Sequence, residues 1–129
     1  MIGIAIRTIL TADGTIAGLF ANRIYPDKVP QRAGFPYLTY QMIGTEPTND
    51  KDGASKLDVV RVQLDIYTTN YDTAQSAAEI VREVLDRYRG TVGAAVIDKI
   101  IFAGQSSGEP DADMNIFWIS QDYEIRIKR

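Results

Sequence analysis

The chain has 129 residues, of which 45% are hydrophobic, and it carries a formal net charge of −3 with no cysteine and no histidine. This length predicts one globular domain, 1–129, with a core that needs neither disulfides nor metal. The missing residue types exclude disulfide frameworks, thiolate nucleophiles, Cys/His zinc sites and histidine acid–base chemistry, and the mildly acidic balance argues against binding along duplex phosphates.

The first two elements predicted along the chain are short helices. An apolar series at helical spacing precedes a break at Asp13-Gly14. A second helix is predicted from Thr15, with Ile16, Leu19 and Phe20 on one side and either Asp13 or Thr15 as its N-cap. The members of the first apolar series are Ile2, Ala5, Ile6, Ile9 and Leu10.

The N-terminal segment MIGIAIRTILTADG is interrupted by Arg7, and no stretch of the sequence reaches the roughly 20 apolar residues that a membrane-spanning helix needs. It also lacks the basic start and the small-residue cleavage site of a signal peptide. We therefore expect an intracellular product, made in the cytoplasm, that has no membrane partner.

The next segment, ANRIYPDKVPQRAGFPYLTYQM, combines prolines with aromatic residues. Pro26, Pro30 and Pro36 each favour an extended conformation in the preceding residue, which predicts an extended lead-in to a strand that begins at Tyr37. Leu38, Tyr40 and Met42 are expected on one face of that strand. The polar stretch 44–56 that follows, GTEPTNDKDGASK, favours a loop or a mobile arm.

The second half of the chain alternates strands with one strong helix. A strand is predicted in LDVVRVQLDIYTT, where apolar and polar residues alternate. A long amphipathic helix follows, with Asn70 as its N-cap and Gly90 as its C-cap. A third strand is predicted over 96–102, a polar loop over 103–114 and a last strand over 116–127. This order, α-β-β-α-β-β, predicts an α+β fold: a mostly antiparallel four-stranded sheet with helices packed on one face and long inter-strand loops.

Residues with catalytic or metal-binding potential do not form a convincing site. Asp111, Asp113 and Asn115 copy the start of a calcium loop, but the sixth position is Ile116 rather than glycine and the twelfth is Asp122 rather than glutamate. The segment NDKDG is better explained as a turn. We therefore expect no enzyme activity, no metal and no cofactor.

Six aromatic residues fall on predicted strands, on strand entries or at a helix start. They could stack on nucleic acid, but they lack basic neighbours, so core or subunit-interface positions are favoured. These residues are Tyr25, Tyr37, Tyr40, Tyr67, Tyr71 and Trp118.

Two long segments resemble the tail completion proteins of long-tailed phages and prophages. RIYPDKVPQRAGFPYLTYQMIGTEP is similar to the tyrosine-proline entry and the "PY" strand of that family. KDGASKLDVVRVQLDIYTTNYDTAQSAAEIVREVLD is similar to its strand, its aromatic-threonine turn and its alanine-rich helix. The ordered set covers residues 19 to about 88.

This resemblance implies a structural virion protein at the head-proximal end of the tail. Such proteins cap the tail tube as an oligomeric ring, usually a hexamer, and join it to the head connector. The implied partners are other copies of the chain, the tail tube protein and the connector or stopper protein, while DNA only passes through the channel. A head-completion or stopper ring at the same joint, or a small non-catalytic binding module, are the alternatives.

Assembly contacts are expected in the proline-rich lead-in and in the two polar loops. A lead-in that prolines hold extended loses less entropy when neighbouring subunits clamp it. Acidic loops suit ordering against a partner or, facing a channel, repulsion of DNA. The candidate interface residues are Tyr25, Pro26, Pro30, Phe35, Tyr37, Glu46, Asp50, Asp52, Glu109, Asp111 and Asp113.

Overall fold

The computed structural model describes residues 2–21, 23–27, 34–50, 53–107 and 116–128, with only the backbone described at 47–50 and 53–56. In chain order the elements are α1 (Ile2–Ala12), α2 (Gly14–Phe20), β1 (Ile24–Pro26), β2 (Tyr37–Asp50), β3 (Gly53–Thr68), α3 (Tyr71–Leu85), β4 (Gly90–Val92), β5 (Ala95–Ser107) and β6 (Phe117–Lys128).

The first two helices form where the sequence predicts them. The five apolar residues predicted for the first helix are the buried residues of α1. Asp13, rather than Thr15, is the N-cap of α2, because its Oδ1 accepts the N–H of Ile16 at 3.0 Å. No described helix is long and apolar enough to cross a membrane by itself; α1 and α2 satisfy the length and composition together, as a pair bent by 95°.

The predicted four-stranded sheet is wrong. Six strands form one sheet in the order β1-β2-β3-β6-β5-β4, and the sheet is mixed because β1 runs parallel to β2. The two strands that the sequence does not reveal, β1 and β4, have three residues each. Such short strands show no alternating pattern that could distinguish them from a loop.

The predicted flat layer of helices on one face is also wrong, because the sheet curls into a half-barrel. Helix α1 contacts both β2 and β4, which three other strands separate in the sheet, so the sheet must bend around it. Helix α3 contacts β3, β6 and β5 in the hollow of the curl. One bulge in β2, between Met42 and Gly44, and two in β5 contribute to the curvature, because bulges bend a strand and increase its twist.

The predicted loop at 44–56 is instead the end of a long β-hairpin. The β2–β3 ladder continues to the pair Asp50 and Gly53, while β3 pairs with β6 only from Leu57 onward. The hairpin beyond Pro47 therefore projects past the sheet as a two-stranded ribbon, which we call the ribbon (47–57). Its backbone pairing extends beyond the part of β3 that pairs with β6, which a polar, turn-rich sequence does not indicate.

The strongest predicted helix forms, but it ends earlier than expected. Asn70 caps α3 as predicted, since its Oδ1 accepts the N–H of Thr73 at 3.1 Å. The helix stops at Leu85, and Gly90 begins β4 instead of serving as a C-cap. After the helix the backbone turns to bond the edge of β5, with Arg87 N donating to Ile100 O at 2.7 Å and Ile100 N donating to Tyr88 O at 3.0 Å. The backbone groups of Arg87 and Tyr88 that form these bonds are therefore not available to continue α3.

The core lies between the inner face of the sheet and the three helices. The predicted alternation holds in β3 and β6, whose inward residues are buried, and it holds for Leu38 and Tyr40 in β2. Met42 is the exception, at 52% exposure. Strand β5 extends to Ser107, so 103–107 belong to a strand rather than to the predicted loop, and the rest of that loop lies outside the described residues.

Candidate assembly surfaces

Five aromatic side chains form a row across one end of the outer sheet face, which we call the aromatic row. Tyr25 and Phe35 contact Tyr37, with ring centroids 6.3 and 5.1 Å away. The ring of Tyr37 stacks on that of Tyr67 at 4.9 Å, and Tyr67 contacts Trp118 at 6.3 Å. Tyr37, Tyr67 and Trp118 share one register on three adjacent strands. All five side chains are half-buried.

The structure thus brings together three of the predicted interface residues, Tyr25, Phe35 and Tyr37. It adds Tyr67 and Trp118, which the sequence places among core or interface aromatics but does not connect to the lead-in. Burial raises the pKa of both Tyr37 and Tyr67, and the charge of Asp65 raises that of Tyr67 further. Their hydroxyl groups therefore remain protonated near neutral pH and can donate hydrogen bonds to a partner.

Arg23 fixes the lead-in beside the first residues of β2. Its Nε donates to the carbonyl oxygen of Pro36 at 2.9 Å, and its Nη2 donates to that of Phe35 at 3.2 Å, across a cis Phe35–Pro36 peptide bond. Its own carbonyl oxygen accepts the N–H of Leu38 at 2.9 Å. Pro26 lies on β1, beside Tyr40. The described parts of the lead-in, 23–27 and 34–36, are therefore held at the edge of the sheet by these hydrogen bonds.

Beyond the aromatic row, the outer sheet face is polar and its groups bond one another. The carboxylate of Asp65 accepts hydrogen bonds from Gln63 Nε2, at 3.1 Å, and from the hydroxyl of Ser120. Further along, Arg61 and Glu124 form an exposed ion pair of 2.9 Å. Since these groups satisfy each other, the aromatic row is the main apolar feature of this face.

Of the acidic residues predicted to form assembly contacts, only Glu46 and Asp50 lie within the described residues. Glu46 is exposed on β2, next to the ribbon, and Asp50 is at the ribbon's tip, where its backbone pairs with Gly53. Pro30, Asp52, Glu109, Asp111 and Asp113 lie outside the described residues. Within the described ranges, no three acidic side chains come together as metal ligands would.

Two other surfaces carry exposed apolar side chains that the sequence does not single out. The first, the seam patch, consists of Ile4, Arg7, Met42 and Ile43, where α1 meets β2. It borders an open groove of about 570 Å³ that Ile4, Arg7 and Tyr40 help to line, and a neighbouring one that Met42 helps to line. Ile4 is 74% exposed and Ile43 is 56% exposed.

The second surface, the end groove, lies where α3 begins beside the ends of β5 and β6. It is a hollow of about 470 Å³ with mainly apolar walls. Tyr71, which is 58% exposed, contacts Phe117 edge-on at 6.0 Å and forms one wall. The end groove is lined by Tyr71, Ala74, Gln75, Ser107, Phe117, Trp118 and Ile119.

Comparison with protein families gives a match that spans almost the whole chain. The family model described as "Tail completion protein gp17" matches residues 4–128. The chain belongs to this family. It is therefore a structural protein of a phage tail, and the predicted resemblance and the predicted virion-tail location are confirmed.

A comparison with solved structures adds a likeness in fold for this tail completion protein. A chain in "Virion of native gene transfer agent (GTA) particle" superposes with a TM-score of 0.81 at 19% sequence identity, covering 98% of this chain and 93% of that chain. At this identity the likeness shows a shared fold. Comparison with curated proteins gives no match.

Proposed function

We propose that this tail completion protein forms a ring, with six subunits expected, that caps the head-proximal end of the tail tube and joins it to the head connector. The structural observation that supports this proposal is the ribbon (47–57). It extends the β2–β3 ladder past the sheet, where no other described strand pairs with it. Because this extension adds no pairing to the other described strands, we propose that its length serves contact with another protein.

Physical arguments favour the ribbon as a joining element. A two-stranded ribbon is only marginally stable in water by itself, so it gains order when a partner covers it. Its strands remain connected to the rigid part of the sheet through β3 and β6, which positions it and lowers the entropy lost on binding. We propose that the ribbon binds either the tube or the connector, while the rest of the ring bears on the other component.

We propose no catalytic role, and DNA is expected only to pass through the ring. The acidic residues Glu109, Asp111 and Asp113 would then face the channel and repel the DNA backbone, which keeps the polymer mobile. Replacing all three with lysine should slow DNA ejection, as measured by the release of labelled DNA from purified particles. Unchanged ejection kinetics would contradict a channel position for these residues.

Deleting the gene from the phage or prophage that carries it tests the central proposal. Electron microscopy of the lysate should show DNA-filled heads beside unattached tails, some of them overlong. Filled heads that leak DNA would instead support the alternative of a stopper ring. Normal infectious particles would contradict any role in the virion joint and favour the non-catalytic binding module.

Truncating the ribbon tests its role separately from the fold. Residues 48–55 are replaced by Asn-Gly, which together with Lys56 and Leu57 gives a four-residue connection between the paired residues Pro47 and Asp58. The variant should retain the circular dichroism spectrum and the ring size of the natural protein, and it should fail to restore head–tail joining in the deletion strain. A matched full-length variant, Glu46→Gln, controls for the loss of one exposed charge. Joined, infectious particles with the truncated protein would contradict a joining role for the ribbon.

A further inference from the structure

We propose that neighbouring subunits contact each other through the seam patch of one copy and the end groove of the next. This inference depends on the ring proposed above, and it names the surfaces that hold the ring together. The occupant of the end groove is accordingly a second copy of this chain, and the contact is made by side chains and not by strand addition.

The first argument is the position of the large apolar side chains that remain exposed to water. Among the described residues, five large hydrophobic side chains are exposed: Ile4, Met42, Ile43, Tyr71 and Val96. Three of them form the seam patch and Tyr71 belongs to the end groove, while Val96 is the least exposed of the five, at 37%. The three exposed groups of the seam patch are gathered and not scattered singly, and Tyr71 stands at the rim of a mainly apolar hollow; such features mark contact surfaces.

The second argument is the shape of the seam patch. In the β2–β3 ladder Met42 pairs with Val62 and Gly44 pairs with Arg61, so Ile43 is an additional residue in a bulge. In a regular strand Met42 and Ile43 would face opposite sides, but at this bulge both are exposed. The bulge therefore presents two consecutive apolar side chains to solvent, Met42 and Ile43, which we call the projection.

The same bulge argues against another strand pairing with this edge. Among the described strands, none pairs with the edge of β2 beyond Tyr40, where β1 ends. However, the bulge interrupts its series of backbone groups, and Pro47 offers no N–H to a new strand. The contact must then come from side chains. A hollow lined by aromatic rings, as in the end groove, is the shape that accepts aliphatic side chains such as Met42 and Ile43.

The third argument is charge complementarity. Arg7 lines a groove together with Ile4 and forms no ion pair among the described residues, while Asp27 lines the neighbouring groove. At the other surface of the proposed contact, Glu79 follows Gln75 by one helical turn of α3. This spacing places Glu79 beside the end groove. The neighbouring cation on this face, Arg82, is engaged over the ring of Phe102 at 3.9 Å. In the proposed contact, Arg7 of the seam patch therefore lies opposite Glu79 beside the end groove of the neighbouring subunit.

The two surfaces have no residue in common, so the contact is heterologous. Each copy offers its projection to one neighbour and its hollow to the other. Such a head-to-tail contact closes into a ring when the rotation between copies is a simple fraction of a turn. The proposed contact is therefore consistent with the symmetry that the proposed function requires.

A charge exchange on the purified full-length protein tests the contact. Arg7→Glu and Glu79→Arg should each weaken ring assembly by about tenfold or more, because each places like charges together. The double variant should recover assembly, and native mass spectrometry across a dilution series measures all three. Both residues are exposed, and circular dichroism confirms that each variant is folded. Rings of unchanged stability in both single variants, or no recovery in the double variant, would overturn the contact.

Cross-linking provides an independent measurement, since the chain has no cysteine. Ile43→Cys and Tyr71→Cys proteins are mixed and treated with a short bis-maleimide. Cross-linked dimers should form in the mixture and not with either protein alone. The control mixture pairs Ile43→Cys with Arg126→Cys, on the outer sheet face. Dimers from Ile43→Cys alone, or as many dimers in the control mixture, would overturn the contact. Failure of the unmodified protein to form any ring would refute the proposed function itself.

Discussion

Gln121 offers the sharpest test of how the half-barrel is held together. It is a polar side chain with 0% exposure in the middle of the apolar face of β6. Its Nε2 donates to the carbonyl oxygen of Ala78 and to Gln105 Oε1, and its Oε1 accepts the hydroxyl of Tyr123, all at 2.9 Å. It thereby connects α3 to β5 across β6. We predict that Gln121 and Tyr123 are strongly coupled in stability.

The magnitude follows from which groups lose their partners. Gln121→Leu leaves the Tyr123 hydroxyl, 1% exposed, without an acceptor, which costs about 2 kcal/mol. Gln105 is exposed and can bond water, so it adds little. Tyr123→Phe leaves Gln121 Oε1 buried and unpaired, at a similar cost of about 2 kcal/mol. The double variant removes both groups of this bond, so it should cost about 2 kcal/mol in total instead of about 4.

Equilibrium urea unfolding followed by the fluorescence of Trp118, the only tryptophan, measures these free energies. All four proteins are compared at one protein concentration, because assembly would otherwise change the apparent stability. The coupling free energy between the two positions should be about 2 kcal/mol. Additive single effects would refute the reasoning, since they would mean that water or another group already satisfies the buried hydroxyl.

Three further predictions concern the N-cap of α3, the hydrogen bonds of Arg23 and the dependence of stability on pH. Asn70→Ala should lower the free energy of unfolding by about 1 kcal/mol, because the N–H of Thr73 loses its acceptor; urea unfolding checks this, and no change would contradict the capping role. Arg23→Met should leave the core intact but make the lead-in susceptible to limited proteolysis, which protection equal to that of the natural protein would contradict. Burial raises the pKa of Tyr37 and Tyr67, so the folded state holds these protons more tightly. Their contribution to stability is complete below about pH 10 and is lost as the pH rises further, which thermal unfolding between pH 8 and about 11 would reveal; a constant melting temperature there would contradict it.

The sequence predicts those parts of the fold in which a local pattern coincides with burial. The stripes of α1 and α3 and the alternation of β3 are evident because each of these elements has one face in the core. The ribbon has a polar, turn-rich sequence without apolar alternation, and β1 and β4 are too short to show a period, so these three features escape prediction. The sequence does not predict the curl of the sheet for another reason. The curl depends on bulges and on contacts of α1 with two distant strands, and neither feature gives a periodic pattern in the sequence.

The features of the candidate surfaces also differ in whether the sequence predicts them. Tyr25, Phe35 and Tyr37 are close in sequence, so their grouping follows from the proline-rich lead-in, whereas Trp118 joins the row only through strand register. The bonds of Arg23 go to backbone carbonyl groups, which every residue has, so its role is invisible in the sequence. The bulge at Ile43 leaves only a weak signal, the isolated Gly44 in MIGTEP, because a glycine at this place is equally compatible with a loop.

The half-barrel also explains why assembly should rely on side chains. A fully closed barrel would have no edges, but here α1 occupies the gap between β2 and β4, so two strand edges remain. Bulges interrupt the β2 and β5 edges, Pro47 lacks an N–H, and the turn after α3 covers part of β5. These features prevent uncontrolled edge pairing while leaving apolar side chains beside the gap. A subunit built in this way can remain unassembled without forming fibres and can still recognise a neighbour, so we expect purified subunits below their assembly concentration to stay monomeric and not to bind thioflavin T.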